Sequence, residues 1–478
     1  MLTIPRLTVA GLRGGSGKTI LSLGLARYWK QTGWKVKPFK KGPDYIDAVW
    51  LGRAAGRTAT NLDPFLMSED QIRSLFVHRA QDHDVCLVEG NRGLFDGKDL
   101  DGSCSTAHLA RLLDTPVLLI VDCTKMTRTA AALIQGCLAF EPDVRIAGVV
   151  LNNTAGARHR SILRQCIETY CGLPVLGTLP KLRTNPIPER HMGLVSDQEH
   201  ASEQALESIA RTISDWLDLD QIAQIARRAP QMSPAQPMIW PRTAHPGNRV
   251  RIGVVKDACL WFYYPENLEA LSRAGAEIQE VSLLNDNAWP EVHGLYLGGG
   301  FPETQALDLA ANTAVRELVF RLADKGLPIY AECGGLMYLC RALHSAGTQQ
   351  PMVGIFPLEA ELSRKPQGHG YTLARVSRAN PFYPLGYEFY GHEFHYSKCL
   401  PPQGKASCAV QQPCLDMLRG TGLGQAQDGL LFRNTFACYT HVHAFSVPAW
   451  AENFVQAAAA FKMSMDQGLD RCPDIRID

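Results

Sequence analysis

Short apolar runs alternate with longer amphipathic stretches along the first half of the chain. The run Leu7–Leu12 predicts a strand, and Lys18–Gln31 predicts a helix because its apolar residues recur at helical spacing. Three further apolar runs predict strands at Val85–Val88, Val117–Val121 and Ile146–Leu151. These runs do not alternate apolar with polar residues, so we expect strands that are covered on both faces. That pattern is typical of a parallel sheet with helices on either side.

The same alternation returns in the second half of the chain. It predicts strands at Arg251–Val255, Leu295–Leu297 and Pro328–Ala331, and helices at Leu268–Gly275 and Val315–Lys325. Each half therefore has the pattern of an α/β domain.

The two halves are separated by a proline-rich segment. Five prolines fall between Ala229 and Asn248, a spacing that forbids a regular helix and disfavours a central strand. We therefore predict an α/β protein of two domains, residues 1–228 and 249–478, joined by a stiff linker at 229–248.

Composition and charge exclude several classes of protein. The chain has 478 residues, of which 46% are hydrophobic, so it is neither disordered nor fibrous. Lys and Arg total 48 and Asp and Glu total 47, so no basic excess predicts a nucleic-acid partner. Apolar runs such as Pro116–Val121 are far shorter than the roughly 20 residues that cross a membrane. The 14 cysteines form no CxxC pair, and we predict a cytoplasmic protein with reduced thiols, with a homodimer as an open alternative.

A glycine-rich segment joins the first predicted strand to the first predicted helix. Residues 11–19 read Gly-Leu-Arg-Gly-Gly-Ser-Gly-Lys-Thr, which predicts a phosphate-binding loop in this context. Lys18 is expected to reach the outer phosphates of a nucleotide and Thr19 to bind Mg²⁺. The usual pattern has glycine six residues before the lysine, where this chain has Leu12. The predicted phosphate contacts are Gly14, Gly15, Ser16 and Gly17.

Carboxylates follow two other strand-like segments in the same half. Asp44 and Asp47 lie in a turn marked by Gly42-Pro43, and Glu89 ends a predicted strand. Carboxylates at the ends of parallel strands beside a phosphate loop are suited to Mg²⁺ and to a transferred phosphoryl group. We therefore predict Thr19, Asp44, Asp47 and Glu89 as magnesium ligands. The alternative is that Asp44 and Asp47 form only a turn and a helix cap.

The second half contains a candidate nucleophile. A predicted strand runs into Cys333-Gly-Gly and then a helix, the arrangement of a nucleophile elbow in which a sharp turn exposes a thiol. The amides of Gly299 and Gly300, after another strand, are candidates for an oxyanion hole. His441 and His443 are candidate bases, and on a strand both would face the same way. No carboxylate stands at a spacing that identifies a third member, so we predict a Cys–His dyad.

Several motifs, taken together, resemble the cobyrinic acid a,c-diamide synthase family. They are Lys-Gly-Pro-Asp-Tyr-Ile-Asp at 41–47, Glu-Gly-x-x-Gly-Leu-Phe-Asp-Gly at 89–97, Pro-Glu-Arg-His-Met-Gly-Leu at 188–194 and Tyr-x-His at 439–441. The resemblance implies an N-terminal amidoligase domain like dethiobiotin synthetase and a C-terminal class I glutamine amidotransferase domain. It implies that ATP phosphorylates a substrate carboxylate and that ammonia from glutamine displaces the phosphate. The substrate would be a tetrapyrrole polycarboxylate.

The resemblance also implies roles for individual residues. Asn152 stands at an adenine-reading position, and His441 rather than His443 is the base. Tyr45, Asp47, Arg92 and Asp96 are candidate substrate contacts.

One departure from the family leaves the substrate open. The residues after Glu-Gly are usually uncharged, and here they are Asn91 and Arg92. The added cation could contact an extra carboxylate of a tetrapyrrole, or it could pair with Asp96. An enzyme that amidates a related tetrapyrrole such as sirohaem or sirohydrochlorin is therefore one alternative. A nucleotide-switch ATPase of the partition type, whose loop is similar, is an alternative from another class.

Overall fold

The computed structural model describes residues 2–181, 196–233, 250–285, 288–345, 347–402 and 412–477. The chain divides into two compact units, Met1–Ile239 and Trp240–Asp478. Of the predicted linker 229–248, the structure describes residues 229–233, where the backbone of Met232 pairs with that of Leu2. The predicted motif at 188–194 lies outside the described residues. Among the described residues, every helix is too short or too polar to cross a membrane.

The first unit is built on a seven-stranded sheet in which all neighbouring strands are parallel. The order across the sheet is β3-β2-β4-β1-β5-β6-β7. The strands are β1 Arg6–Gly11, β2 Val36–Lys41, β3 Thr60–Leu62, β4 Val85–Glu89, β5 Val117–Asp122, β6 Ile146–Thr154 and β7 Val175–Pro180. The helices are α1 Lys18–Gln31, α2 Tyr45–Ala55, α3 Glu69–Ala80, α4 Thr106–Leu112, α5 Thr129–Phe140, α6 Ala157–Cys171, α7 Ser196–Trp216 and α8 Leu219–Arg227.

Burial explains why the apolar runs form this sheet. Every residue of β1, β2 and β4 is buried, so these strands are covered on both faces as the sequence predicts. The bounds of helix α1 agree with the prediction, and each predicted strand overlaps an observed one.

The second unit is built on a six-stranded sheet in the order β10-β8-β11-β13-β23-β22. All neighbours are parallel except β22, which is antiparallel to β23. The strands are β8 Val250–Val255, β9 Leu260–Phe262, β10 Ala276–Val281, β11 Gly294–Leu297, β12 Gly299–Gly300, β13 Ile329–Glu332, β14 Cys340–Ser345, β15 Thr348–Pro351, β16 Phe356–Leu362, β17 Gly368–Val376, β18 Glu388–His395, β19 Ser397–Leu400, β20 Leu415–Arg419, β21 Gln427–Asp428, β22 Leu430–Phe432 and β23 Thr435–Cys438. The helices are α9 Pro265–Arg273, α10 Ala306–Ala311, α11 Thr313–Asp324, α12 Gly334–Leu339 and α13 Trp450–Asp466, with a 3-10 turn at Pro302–Gln305.

The strands outside the main sheet of this unit form smaller antiparallel or mixed sheets, one of which pairs β12 with β9. Helix α9 begins three residues before the predicted start, because Pro265 occupies a first-turn position that needs no amide hydrogen. The two-domain α/β fold expected from the sequence is therefore confirmed.

Helix α1 packs against α7 through a glycine. A Cβ atom on Gly24 would lie 3.1 Å from Cβ of Ile213 and 3.2 Å from Cγ2 of Ile209. Gly136, in the middle of α5, is a contrasting case, since a Cβ there would meet no described atom within 4 Å.

Alanine at these two glycines is expected to change stability in opposite directions. Gly24→Ala should lower the free energy of unfolding by about 1–3 kcal/mol, because the added methyl group overpacks the α1–α7 contact. Gly136→Ala should raise it by about 0.5–1 kcal/mol, because alanine loses less backbone entropy in a helix. Urea denaturation of both variants measures this, and equal effects would contradict the close packing at Gly24.

Candidate active sites of the two units

The phosphate loop lies between β1 and α1, at the carboxyl end of a central strand. Gly17 has φ +101°, in the left-handed region, and a Cβ there would overlap the side chain of Asn152. That side chain donates a hydrogen bond of 3.0 Å to the carbonyl oxygen of Ser16. Cβ atoms on Gly14 and Gly15 would meet no described atom within 4 Å. The loop therefore presents its backbone to open space, as a phosphate cradle requires.

Lys18 is held by the loop itself. Its Nζ donates a hydrogen bond of 3.1 Å to the carbonyl oxygen of Arg13, and the residue is 7% exposed. Burial, and then the nearby cation Lys40, lower the pKa of Lys18. An anion in the loop would restore the favourable environment for this charge.

A buried cluster of charges stands beside the loop. Nζ of Lys40 donates to Oδ2 of Asp47 at 2.5 Å and to Oε1 of Glu89 at 2.9 Å. Thr19 Oγ1 donates to the same Glu89 oxygen at 2.8 Å. Burial raises the pKa of Glu89 to about 7, although the Lys40 ammonium acts in the opposite direction. Burial lowers the pKa of Lys40, but the two carboxylates outweigh it and raise that pKa overall.

Asp44 begins helix α2. Its Oδ1 accepts a hydrogen bond of 3.0 Å from the amide of Asp47, so the cap expected as one alternative is present. Burial and the neighbouring Asp47 raise the pKa of Asp44. Capping uses one carboxylate oxygen and leaves the magnesium role of Asp44 as a prediction.

The donor set of this cluster fits Mg²⁺. The Oε2 atom of Glu89 is buried and has no hydrogen-bond partner among the described residues. The hydroxyl of Thr19 contacts Glu89 directly, and the carboxylate of Asp47 is linked to Glu89 through the ammonium of Lys40. Hard oxygen donors suit Mg²⁺, which keeps several waters and needs only one or two carboxylates. The described residues contain no ready-made cluster of three or more His, Cys, Asp or Glu ligands.

The other candidate substrate residues lie around the segment after β4. Arg92 is exposed and has φ +52°. The Oδ2 atom of Asp96 accepts a hydrogen bond of 2.8 Å from the amide of Gly93. Tyr45, at the start of α2, is 8% exposed. The substrate roles of Tyr45, Arg92 and Asp96 stay predictions.

Cys333 occupies a sharp turn between β13 and α12. Its backbone has φ +46° and ψ −96°, a conformation that costs energy in a residue with a side chain and is the strained turn expected of a nucleophile elbow. The amide of Cys333 donates to the carbonyl oxygen of Cys438 at 2.8 Å, and that of Gly335 donates to Gly298 at 3.1 Å. These bonds tie the turn to the neighbouring strand and to the glycine run.

The glycine run lies against both the elbow and the candidate base. A Cβ on Gly334 would be 2.9 Å from the amide nitrogen of Gly300, and a Cβ on Gly299 would be 2.5 Å from Cε1 of His441. Gly300 has φ +156°. The predicted oxyanion-hole glycines, the nucleophile's neighbour and the imidazole of His441 thus converge on one place.

The two histidines differ in their surroundings. The expectation that 441 and 443 share one strand face is wrong, because β23 ends at Cys438 and His441 makes only an isolated bridge to His392. Nδ1 of His441 lies 3.2 Å from Oε2 of Glu332. Nε2 of His443 lies 3.7 Å from Oε2 of Glu266.

Two residues of these sites were missed by the sequence analysis. Glu332 directly precedes Cys333, and its spacing from His441 carries no recognisable signal. Lys40, in the buried strand β2, gave no signal of its own role, although a buried lysine is itself unusual. In the second unit, the carboxylate of Glu393 accepts hydrogen bonds from the amides of Thr421 and Gly422 at 2.7 and 2.8 Å.

Comparisons with known proteins agree with this division. Residues 7–195 match the CobQ/CobB/MinD/ParA nucleotide binding domain, and residues 251–449 match the CobB/CobQ-like glutamine amidotransferase domain. A solved glutamine amidotransferase is 20% identical and covers 43% of this chain and 98% of its own, but its TM-score of 0.31 supports no structural conclusion.

Relatives named cobyrinate a,c-diamide synthase match almost the whole chain. The protein of Magnetococcus marinus is 42% identical and covers 94% of this chain and 96% of its own. Those of Dehalococcoides mccartyi and Archaeoglobus fulgidus are 38% and 37% identical, cover 96% of this chain, and match over 99% and 98% of their own lengths. The matched nucleotide-binding domain, with its phosphate loop, implies the use of ATP. The chain belongs to the cobyrinate a,c-diamide synthase family, and it is a carbon–nitrogen ligase that takes its amido group from glutamine.

Proposed function

We propose that this chain amidates the a and c acetate carboxylates of cobyrinic acid, a step of cobalamin biosynthesis, at the expense of ATP and glutamine. The observation that carries the proposal is the strained backbone of Cys333 beside a glycine run, in a chain whose other unit holds a phosphate loop next to buried carboxylates. One site activates a carboxylate and the other liberates ammonia. Activation is needed because a carboxylate has no leaving group, and ammonia is needed as the nucleophile that forms the amide.

The first unit would make the acyl phosphate. A carboxylate oxygen of the substrate attacks the γ-phosphorus of ATP, the bond to the β-phosphate oxygen breaks, and ADP leaves. The backbone amides of residues 14–17 and the ammonium of Lys18 would hold the phosphates of ATP. Asn152 would support the loop and contact the adenine of ATP. Thr19, Asp44, Asp47 and Glu89 would hold Mg²⁺, which neutralises charge on the phosphate oxygens.

The second unit would release ammonia. The Sγ atom of Cys333 attacks the side-chain amide carbon of glutamine, and the amides of Gly299 and Gly300 stabilise the oxyanion. His441 takes the thiol proton and gives it to the departing nitrogen, so ammonia leaves and a thioester remains. Water hydrolyses the thioester to glutamate. Ammonia then attacks the acyl phosphate and expels phosphate, which completes the amide.

The environment of the thiol sets how it must be activated. Burial, followed by the nearby Glu303 and Glu332 carboxylates, raises the pKa of Cys333 well above its usual range. Such a thiol needs a base at the moment of attack, which agrees with the role given to His441. Burial raises the pKa of Glu303 itself to about 7. Glu303 therefore opposes the thiolate mainly above that pH.

A second candidate substrate is a sirohaem or sirohydrochlorin ring. It is favoured by Arg92, an exposed cation three residues beyond Glu89, the last residue of β4. A further carboxylate of such a ring could bind this guanidinium. A nucleotide switch without a product is disfavoured, because it has no use for the Cys333 elbow.

Product mass is expected to identify the substrate. The protein is incubated with ATP, Mg²⁺, glutamine and either cobyrinic acid or sirohaem. Because each amidation replaces OH by NH₂, two amidations should lower the mass of cobyrinic acid by about two units. The same change in sirohaem alone would favour the second candidate, and no change in either would contradict the proposed function.

Cys333→Ala should abolish glutamine-driven amidation while amidation driven by added ammonium chloride persists, because only the source of ammonia is lost. Cys414→Ala, at another buried cysteine of the same unit, is the matched control and should retain both activities. Both are followed by product mass and ADP release. Glutamine-driven amidation by Cys333→Ala at the wild-type rate would refute the role of this thiol.

Glu303→Gln is expected to speed alkylation of Cys333 by iodoacetamide at pH 8 by roughly threefold or more, because a nearby negative charge is removed. The rates of variant and wild type should converge toward pH 6, where Glu303 is protonated in both. Glu317→Gln, at an exposed residue of α11, should leave the pH profile unchanged. A Glu303→Gln effect of equal size at all pH values would contradict the electrostatic explanation.

A further inference from the structure

The imidazole of His441 has a carboxylate behind it. The Nδ1 atom lies 3.2 Å from Oε2 of Glu332, whose side chain is fully buried. The Cε1 and Nε2 atoms of the ring lie over Gly299, 2.5 and 3.3 Å from where a Cβ would stand. The ring therefore stands between a buried anion and the glycine run that adjoins Cys333.

Glu332 and His441 are both held firmly. The other oxygen of Glu332, Oε1, accepts a hydrogen bond of 3.3 Å from the amide of Val442. His441 exchanges two backbone hydrogen bonds with His392, of 2.7 and 3.1 Å. Their rings stack at 5.0 Å between centroids and 14° between planes. These contacts fix both the position of the carboxylate and the tilt of the imidazole.

The ionisable groups around His441 come from several elements. Glu332 faces it from the end of β13, and His392 faces it from β18. Behind His392 stands Tyr264, whose hydroxyl is 2.7 Å from Nε2 of His392. Burial, with the neighbouring His441 and His443, lowers the pKa of His392 well below its usual value, so His392 is a neutral neighbour. Of these groups, the carboxylate of Glu332 is therefore the one that can accept a hydrogen bond from Nδ1 of His441.

We propose that Glu332 is a positioning residue of the glutaminase, the carboxylate that completes a Cys333–His441–Glu332 triad. It accepts the Nδ1 hydrogen of His441 and so selects the tautomer with a free electron pair on Nε2. Glu332 precedes the nucleophile in the chain, so one strand end supplies both the thiol and the group that orients its base. This inference rests on the proposed function, since it assigns a role within the glutaminase half-reaction.

The proton balance of the step is simple. When Sγ of Cys333 bonds to the amide carbon of glutamine, its proton passes to Nε2 of His441. The imidazolium carries a positive charge that Glu332 stabilises without taking a proton. Nε2 then returns that proton to the nitrogen, the carbon–nitrogen bond breaks and ammonia leaves. Glu332 ends the cycle unchanged.

The chain provides a matched control. Glu266 is also fully buried and lies beside a histidine, with Oε2 3.7 Å from Nε2 of His443. The Glu266–His443 pair is built from the same two residue types, but it is His441 whose ring lies within 2.5 Å of a Cβ on Gly299. A substitution at Glu266 disturbs a buried carboxylate without touching the proposed triad.

Glu332→Gln in the full-length chain should lower kcat for glutamate release from glutamine by roughly a hundredfold or more, with little change in the KM for glutamine. The acidic limb of the kcat/KM profile should move to lower pH, because the imidazolium loses its carboxylate. Glu332→Asp should recover part of the rate. Amidation driven by ammonium chloride should stay at the wild-type level, which shows that the first unit is intact, and the unchanged KM for glutamine shows that the second unit is folded.

Glu266→Gln should keep both the glutaminase rate and the pH profile of the wild type. An equal loss of kcat in Glu266→Gln and Glu332→Gln, with unmoved profiles, would assign both carboxylates a structural role and overturn the inference. A Glu332→Gln enzyme with wild-type kcat would overturn it as well. Should Cys333→Ala still release glutamate, the proposed glutaminase itself fails, and that result is separate from any effect at Glu332.

Discussion

The chemistry of this protein depends on one constraint of parallel sheets, namely that neighbouring strands end at the same edge. In the first unit β1 leads into the phosphate loop, β2 into Asp44 and β4 ends at Glu89. In the second unit β11 leads into the glycine run and β13 ends at the residue before Cys333. Backbone pairing therefore brings together groups that are far apart in the chain, with no need for direct contacts between their own segments.

The two units use buried charge in different ways. In the first, Lys40 compensates Asp47 and Glu89, because uncompensated carboxylates would be costly in a dry interior. The Glu89 oxygen that lacks a partner among the described residues is then suited to a bound cation. In the second, burial raises the pKa of the Cys333 thiol, and the proposed glutaminase therefore needs a base. The carboxylate of Glu332, 3.2 Å from Nδ1 of His441, is suited to stabilise the positive charge that this imidazole would acquire.

Much of this could be predicted from local sequence. The apolar runs determined which segments form buried strands, and the glycine-rich loop after β1 identified the phosphate site, because glycine permits the backbone to approach an anion. Strand β2 was harder to predict. It contains Lys37, Lys40 and Lys41, all buried, and such a pattern does not resemble a core strand. Buried lysines are tolerated where distant residues accept their hydrogen bonds. The Nζ atom of Lys37, for example, donates to the carbonyl oxygen of Thr58 at 2.6 Å.

The sequence by itself determined the two α/β domains, the phosphate loop and the Cys333 turn, because each depends on residues adjacent in the chain. The Tyr-x-His motif favoured His441 over His443, but only the tertiary structure showed the different surroundings of the two histidines and placed Glu332 against His441. Those contacts join residues more than one hundred positions apart, through the pairing of β13 with β23. Local sequence does not predict which distant strands pair, so the partner of a histidine is known only once the sheet is formed.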